Sequence, residues 1–356
     1  MNTRSEVCPG HASASPAAGD DTRRQATPAD PLFSILIPVY NRERLIRESL
    51  DAIFHQTYNG YEIIVVDDGS TDGTLAALES YGDRIRVLTQ SHEGPEQARN
   101  RAARVARGEY LAFLDSDDLF LPWTLATYQR LITQGDRPSL IVGRLRSFQG
   151  AAPSMLAQQQ AQAIVARRYP DFLSKDVRVD ASSSVIVVRR AVFENAGGLR
   201  RSSATTYNLD TFDSLLRFGS NPVCWVIQEP VTVAYREHDS MSSGNLDRMV
   251  AGVRRVMDAE RQGLYPGGRR RRFARRAYVG GMAWSWVSNA WNLQRRRLAS
   301  RLLLAGFPMV VAGVLRKAWI RLRGSSTPVR LALTDADADG TVGAAGTIIP
   351  PASSVG

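Results

Sequence analysis

The sequence of 356 residues is poor in cysteine and has no recognisable export segment. Its two cysteines, Cys8 and Cys224, are too few to build the disulfide framework of a secreted scaffold. The first 30 residues lack the apolar stretch of a signal peptide, and their Ala, Ser, Pro, Asp and Arg content predicts a disordered tail over residues 1–30. Both absences favour the reducing cytoplasm as the location of the protein.

Acidic residues are scarce in one part of the chain. From Asn245 to Ser325 there are 18 Lys or Arg residues and 3 Asp or Glu residues, whereas the whole chain has a net charge of +10. The remainder is therefore mildly acidic, and residues 245–323 are predicted to form a basic helical appendage. The Ser, Thr, Pro, Gly and Ala content of residues 324–356 predicts a second disordered tail.

Two interpretations of the appendage are open. Its apolar run Leu302–Leu315 is shorter than the roughly 20 residues of a membrane span, but with Trp284, Trp286 and Trp291 it suits helices lying on an anionic membrane surface. The alternative is a helical lid that packs on the rest of the protein and keeps a solvated Arg face. Nucleic-acid binding is disfavoured, because no recognised DNA or RNA motif accompanies the charge.

The body of the chain alternates apolar and amphipathic segments. FSILIPV, YEIIVV, RIRVLTQ and YLAFL are typical of buried strands, and helical patterns separate them. Asn41 is a candidate N-cap for the first of these helices. The alternation predicts an α/β fold with a parallel sheet, and further strands between Leu140 and Tyr235 are expected to complete it. Ligands of such sheets bind beyond the carboxyl ends of the strands.

Acidic residues follow two of the predicted strands. Asp67 and Asp68 come after the second strand, and Asp115, Asp117 and Asp118 come after the fourth. Each cluster alone could be a solvated turn, with Asp118 as a helix cap. Together, at one sheet edge, they repel each other unless cations or hydrogen-bond donors lie between them. Carboxylate oxygens are also the ligands that Mg²⁺ or Mn²⁺ prefers, usually shared with substrate phosphates.

Two long segments resemble a known family. SILIPVYNRERLIRESLDAIFHQTYNGYEIIVVDDGSTDGT and HEGPEQARNRAARVARGEYLAFLDSDD are similar to inverting family 2 glycosyltransferases, which have the GT-A fold. The resemblance covers about Pro31 to Ser243 and implies a glycosyltransferase domain over residues 31–244, with a mixed sheet flanked by helices. The residues it assigns to the donor nucleotide are Pro38, Tyr40, Asn41, Asp67, Asp68, Arg99 and Asp115. It also implies a DxD motif in which Asp117 is the main metal ligand and Asp115 the second.

The expected general base is where the chain departs from the family. Family members usually carry an ED pair there, and the comparable positions here are Asp210 and Thr211, while Asp213 and Arg217 keep the later spacing. Threonine cannot act as a base at neutral pH, so Asp210 is our candidate for the base. The alternative is that the base is lost and activity is weak or absent.

The resemblance extends to the segment YREHDSMSSG. His238 in this segment is assigned to the metal or the diphosphate, although a loop histidine with ordinary hydrogen bonds is equally compatible. Arg236 is a candidate partner for phosphate.

The resemblance implies an enzyme that moves a sugar from a nucleoside diphosphate sugar, with a UDP-sugar favoured, to an acceptor hydroxyl using Mg²⁺ or Mn²⁺. Its expected location is cytoplasmic or peripheral on the inner face of the membrane. The alternative function is a non-catalytic protein that binds nucleotide sugars or polyanions on the same fold.

Overall fold

A nine-stranded mixed sheet forms the centre of the protein. The computed structural model describes residues 30–134, 136–150, 163–180, 182–201, 210–237 and 245–333. From one edge to the other, the strands of this sheet are β12 (Val329–Ala332), β8 (Ala163–Tyr169), β10 (Cys224–Glu229), β6 (Leu140–Val142), β9 (Ile186–Arg189), β4 (Tyr110–Phe113), β1 (Phe33–Val39), β2 (Tyr61–Asp67) and β3 (Arg86–Thr89).

The first four strands are parallel, as the sequence predicts. β1 pairs with β2 and β4, and β2 pairs with β3. β1, β2 and β4 are buried along their whole length, which explains their nearly uninterrupted apolar sequences. Because Val39 pairs with Asp67, the loops that follow β1 and β2 leave the sheet at the same edge.

The second half of the chain makes the sheet mixed. β9 runs antiparallel to both β4 and β6, while β10 is parallel to β6 and antiparallel to β8. A separate three-stranded sheet consists of β5 (Leu119–Phe120), β11 (Val233–Arg236) and β7 (Leu145–Phe148), in that order. β5 directly follows the acidic DSDD segment, so this small sheet lies beside that loop.

The helices of the body flank the large sheet. They are α1 (Glu43–Phe54), α2 (Thr74–Glu79), α3 (Pro95–Val105), α4 (Thr124–Thr133), α5 (Arg190–Asn195) and α6 (Asp210–Phe218). The prediction that Asn41 caps α1 is wrong. Arg42 holds the N-cap position without a side-chain cap bond, and Asn41 adopts φ 51° and bonds to the next loop.

Three long helices form the basic C-terminal region. They are α7 (Leu246–Arg261), α8 (Gly268–Asn292) and α9 (Arg296–Arg323). α8 and α9 approach closely at Gly280, where an added Cβ would lie 1.8 Å from the carbonyl oxygen of Met309. The region also packs on the body, because Arg316 Nη2 donates to the carbonyl oxygens of Leu173 and Lys175.

One part of the predicted C-terminal tail is ordered. β12 pairs antiparallel with β8 at the edge of the large sheet, with Leu331 opposite Ile164. The prediction of disorder over residues 324–356 is therefore wrong for β12, whose apolar Leu331 is buried in the core.

α9 is longer than the apolar run that it contains. Among the described residues it is the one helix that could cross a membrane by length and composition, and 39% of its most apolar window is buried within the protein. The other side of α9 exposes Leu304, Phe307, Val314 and Leu322.

Candidate functional site

Loops after β1, β2 and β4 meet at one edge of the sheet. Asn41, in the first loop, receives a hydrogen bond on Oδ1 from Thr71 N at 2.8 Å, and its own N donates to Ser70 Oγ at 2.9 Å. Tyr40 is 38% exposed, and its ring lies 4.0 Å from that of His92, between centroids. Pro38 is buried within β1. An exposed aromatic ring therefore stands at an edge whose loops are held together by Asn41.

Asp67 and Asp68 are both buried, but their carboxylates differ in their partners. Asp68 accepts hydrogen bonds from Gln90 Nε2 at 2.8 Å, Glu93 N at 2.8 Å and Gly94 N at 2.9 Å. Among the described residues, the carboxylate of Asp67 receives only the 3.3 Å contacts of Ser70 N. Asp68 thus fastens the loop after β3, while Asp67 keeps more of its accepting capacity.

The carboxylates after β4 also have separate environments. Arg99 is 2% exposed on α3 and forms an ion pair with Asp115 through Nη2 and Oδ1. The Asp117 side chain is 22% exposed, and its Oδ2 lies 3.9 Å from Arg42 Nε. Asp115 and Asp117 therefore present partly exposed carboxylates close to two guanidinium groups.

Asp118 has a structural position that sequence analysis missed. It is 1% exposed, it accepts a hydrogen bond from Ser184 Oγ at 2.6 Å, and it accepts another from Arg236 N at 3.0 Å. Burial raises the pKa of Asp118 well above its usual value, and the carboxylates of Asp115 and Asp117 raise it further. Asp118 does not cap a helix, since α4 begins at Thr124 without a side-chain cap bond.

The guanidinium group of Arg236 is bonded to other groups of the protein. Its Nη2 lies 2.5 Å from Glu48 Oε2, and its Nε and Nη1 donate to the carbonyl oxygens of Asp117 and Gly150, both at 3.0 Å. The side chain joins α1 to the DSDD loop. Its sequence-based assignment to a phosphate stays a prediction.

Two adjacent serines connect the acidic loop to α6. Ser184 Oγ accepts from Asp115 N at 3.0 Å and donates to Asp118, whereas Ser183 Oγ lies 3.4 Å from Thr211 Oγ1. This segment places the start of α6 beside the DxD loop. No charged or aromatic residue marks this segment in the sequence, where it consists of three successive serines before a strand.

Asp213 and Arg217 hold α6 in place. Arg200 Nη1 donates to Asp213 Oδ1 at 3.0 Å, the Tyr265 hydroxyl donates to the same oxygen at 2.8 Å, and Arg217 Nη1 lies 3.6 Å from Oδ2. Arg217 Nη1 also donates to Gly198 O at 2.6 Å. The two residues that keep the family spacing therefore fasten the helix to the body and to the turn before α8.

Two predicted site residues lie partly or wholly outside this description. α6 begins at Asp210, whose side chain is outside the described residues, and His238 lies outside them entirely. Within the described ranges, no group of three or more His, Cys, Asp or Glu side chains forms a metal-binding cluster. The donor set of Asp115 and Asp117 fits a hard divalent cation that shares its remaining positions with phosphate oxygens.

The fold and the site together define a class of protein. A mixed sheet with nucleotide-type loops at the carboxyl ends of parallel strands, and a DxD loop beside them, is the arrangement of GT-A glycosyltransferases. Residues 34–197 of this chain match the family model of Glycosyl transferase family 2.

Curated relatives share the N-terminal part of the domain. The chain is 39% identical over 117 residues to "Putative glycosyltransferase EpsH" of Bacillus subtilis, covering 32% of this chain and 33% of that protein. It is 36% identical over 121 residues to "Glycosyltransferase GlyG" of Streptococcus pneumoniae, covering 33% and 40%. The matches thus span between a third and two fifths of each relative's length.

Solved structures share the fold. The S. aureus TarS 1–349 complex with UDP-GlcNAc superposes with a TM-score of 0.58 at 18% identity, covering 78% of this chain and 81% of that chain. The mannosyltransferase PcManGT from Pyrobaculum calidifontis, in complex with GDP-Man and Mn²⁺, superposes with a TM-score of 0.50 at 20% identity, covering 82% and 88%.

Proposed function

We propose that the protein transfers a sugar, with inversion, from a nucleoside diphosphate sugar to an acceptor hydroxyl. The observation that carries this proposal is the meeting of three groups at one sheet edge. They are the Asp67 loop, the DxD loop of Asp115 and Asp117, and the start of α6, which Ser183 and Ser184 hold beside that loop. The donor and the acceptor hydroxyl can therefore be held next to each other.

The nucleoside is assigned to the loops after β1 and β2. Tyr40 offers an exposed ring for the base, and Asp67 offers carboxylate oxygens for base or ribose donors. Asp68 supports this region indirectly, because it is bonded to the loop after β3. Arg99, which the resemblance assigns to the donor nucleotide, forms an ion pair with Asp115 and so positions that carboxylate.

The metal assignment is Mg²⁺ or Mn²⁺ held by Asp117 and Asp115, with His238 as a further ligand. A bound divalent cation neutralises negative charge on a departing diphosphate. The support is the partly exposed carboxylate pair, together with the Mn²⁺ complex of the mannosyltransferase that shares the fold. UDP-GlcNAc in TarS and GDP-Man in PcManGT support a nucleotide-sugar donor, and we favour a UDP-sugar.

Asp210 is assigned as the general base. A base must take the proton of the acceptor hydroxyl on the face opposite the leaving group. Thr211 cannot do so, and the helix that begins at Asp210 is fixed by the Asp213 and Arg217 contacts. Asp210→Asn should lower kcat by at least about a hundredfold and leave donor binding unchanged. Thr211→Ser, which keeps the hydroxyl, should stay within about twofold of the wild type.

A donor screen tests the function as a whole. UDP- and GDP-sugars are titrated with Mg²⁺ or Mn²⁺ in binding and hydrolysis assays, on the wild type and on Asp117→Ala. We expect one donor class to bind and to be hydrolysed only when metal and Asp117 are both present. Unchanged turnover by Asp117→Ala would show that the metal assignment is wrong.

Because Thr211 replaces the carboxylate expected at the base position, a second function is non-catalytic binding of nucleotide sugars. A protein that binds nucleotide sugars without transfer would give donor binding in the same screen, with no turnover by the wild type and no effect of Asp210→Asn. That result would favour the binding protein over the enzyme.

Association with an anionic membrane surface is a separate proposal for α9. Its exposed side chains Leu304, Phe307, Val314 and Leu322 share one helix face, because their spacing follows the 3.6-residue period. Arg301 and Arg321 are exposed towards the two ends of this apolar face, where they can meet anionic headgroups. Cosedimentation with phosphatidylglycerol vesicles should therefore be strong at low salt and fall when Phe307 and Leu304 are changed to Ser. Equal sedimentation of that variant and the wild type would contradict it.

A further inference from the structure

A cavity of about 830 Å³ lies between the body and the basic helices. Its walls include Arg200 and Asp213 of the body, Arg254 and Arg255 of α7, and Leu298 in the first turn of α9. The cavity is therefore formed where the helical region meets the N-terminal half of α6, and it is separate from the nucleotide loops described above.

The charges around this cavity are unequally paired. Of the residues that the structure describes, three carboxylates line it, and each has an arginine partner: Asp213 pairs with Arg200 and Arg217, Asp247 with Arg295, and Asp258 with Arg261.

Arg254 and Arg255, by contrast, form no ion pair with any residue that the structure describes, and the buried Nε of Arg254 has no hydrogen-bond partner there. Guanidinium groups on a cavity wall without a carboxylate partner favour an anion, and an incoming oxyanion would supply the acceptor that their donor groups lack.

The cavity begins close to the proposed transfer site. Asp213 lies one helical turn after Asp210 in α6, and its carboxylate accepts a hydrogen bond from the Tyr265 hydroxyl at 2.8 Å. A molecule held in the cavity would therefore lie close to the start of α6.

We infer that this cavity binds a phosphate group carried by the acceptor, with Arg254 and Arg255 as its ligands. Arginine is suited to this role because its planar donor fork matches the oxygens of a phosphate in a bidentate arrangement. Apolar side chains such as Val250, Leu264 and Leu298 line the same cavity and suit an adjoining hydrocarbon part. The inference rests on the proposed transferase function for the identity of the ligand as an acceptor, but the phosphate site itself stands on geometry.

The test measures phosphate binding directly. Dodecyl phosphate, below its micelle concentration, and inorganic phosphate are each titrated into the full-length protein by calorimetry. The Arg254→Gln, Arg255→Gln double variant should bind dodecyl phosphate at least about tenfold more weakly than the wild type. The Arg269→Gln, Arg270→Gln double variant removes the same charge from exposed positions on α8 and should bind like the wild type.

Each outcome decides the inference. If both probes bind, the phosphate group alone is sufficient for binding. If only dodecyl phosphate binds, the ligand must carry a hydrocarbon chain as well. Either result supports the site, provided that the Arg254→Gln, Arg255→Gln variant loses the binding. Equal weakening in the two double variants shows a general charge effect and overturns the site. No binding of either probe by the wild type also overturns it. Urea unfolding of the variants verifies that they are folded.

A second titration separates this inference from the proposed function. The same wild-type sample is titrated with the nucleotide sugars of the donor screen. Donor binding without probe binding contradicts the cavity site alone, and probe binding without any donor binding contradicts the transferase function alone.

Discussion

Neighbouring aspartates at the end of β2 divide two tasks between them. Asp68 accepts three hydrogen bonds from the loop after β3 and lies 3.1 Å from His92 Nδ1, so its charge is used within the protein. Asp67, with its longer contacts to Ser70, has capacity left for a ligand. The pair shows that equal residue type and equal burial do not imply the same hydrogen-bond partners.

This division predicts opposite effects of two matched substitutions. Asp68→Asn removes a charged acceptor of backbone N–H groups and should lower the free energy of unfolding by about 2 kcal/mol. Asp67→Asn should cost less than about 1 kcal/mol but weaken donor binding by about tenfold. Urea unfolding and donor calorimetry on both variants measure the two effects. If Asp67→Asn proves the more destabilising variant, the division is wrong.

Gly69 forms the turn that directly follows Asp67 and Asp68. Its φ is +79°, and a Cβ there would lie 3.3 Å from both Gln90 O and His92 N. Gly69→Ala should therefore destabilise the fold by about 2 kcal/mol. Gly82→Ala is the control, since Gly82 also has positive φ (+53°) but open space around it, and should cost about 1 kcal/mol. Thermal unfolding of both variants tests the difference.

The acidic residues at this edge could be foreseen from the sequence, but their partners could not. Strand periodicity and the direction of parallel strands are local properties, and they suffice to bring Asp67 and Asp115 to one side. The bonds of Asp118 to Ser184 and Arg236 span 66 and 118 positions of the chain, respectively. Such contacts depend on how the second half packs, and a short run of serines carries no pattern that predicts this packing.

At the scale of elements, the α8–α9 hairpin depends on one close approach. Gly280 lets the backbone of α9 pass at Met309, where a side chain has no room. The sequence predicted helices in this region, but it could not reveal which of the adjacent glycines faces the partner helix.

Two neighbouring alanine substitutions test this contact. Gly280→Ala forces the helices apart and should lower the free energy of unfolding by about 3 kcal/mol. Gly281→Ala meets nothing within 4 Å and should raise it by up to about 1 kcal/mol, because alanine favours the helix. Denaturant unfolding followed by tryptophan fluorescence gives both values. Similar effects of the two substitutions would contradict the packing.

At the scale of the whole molecule, Lys175 lies where the body meets the basic helices. Its Nζ is 4.6 Å from the ring centroid of Phe172 and 4.8 Å from that of Tyr278 on α8. Burial, with a contribution from Arg316, lowers the pKa of Lys175 from 10.5 to about 7. The folded protein therefore carries this amine largely uncharged at alkaline pH.

The lowered pKa predicts a pH-dependent stability. Between pH 7 and 10.5 the unfolded chain binds the proton more strongly, so the contribution of Lys175 to stability should rise with pH in this window and be constant below it. Lys175→Met removes this titration. The difference in unfolding free energy between wild type and variant, measured at pH 6, 7, 8 and 9, should shift in favour of the wild type as pH rises above 7. A pH-independent difference would contradict the shifted pKa.

The return of β12 to the large sheet determines how the chain can be divided. Because β12 pairs with β8 after α9 has ended, the three basic helices are a topological insertion between β11 and β12, tethered at both ends. Ending the chain at residue 244 would thus uncover the backbone donors and acceptors of β8 and create an exposed sheet edge, a template for aggregation. A soluble catalytic fragment should instead be sought by excising the helices and joining the body to β12 through a short linker.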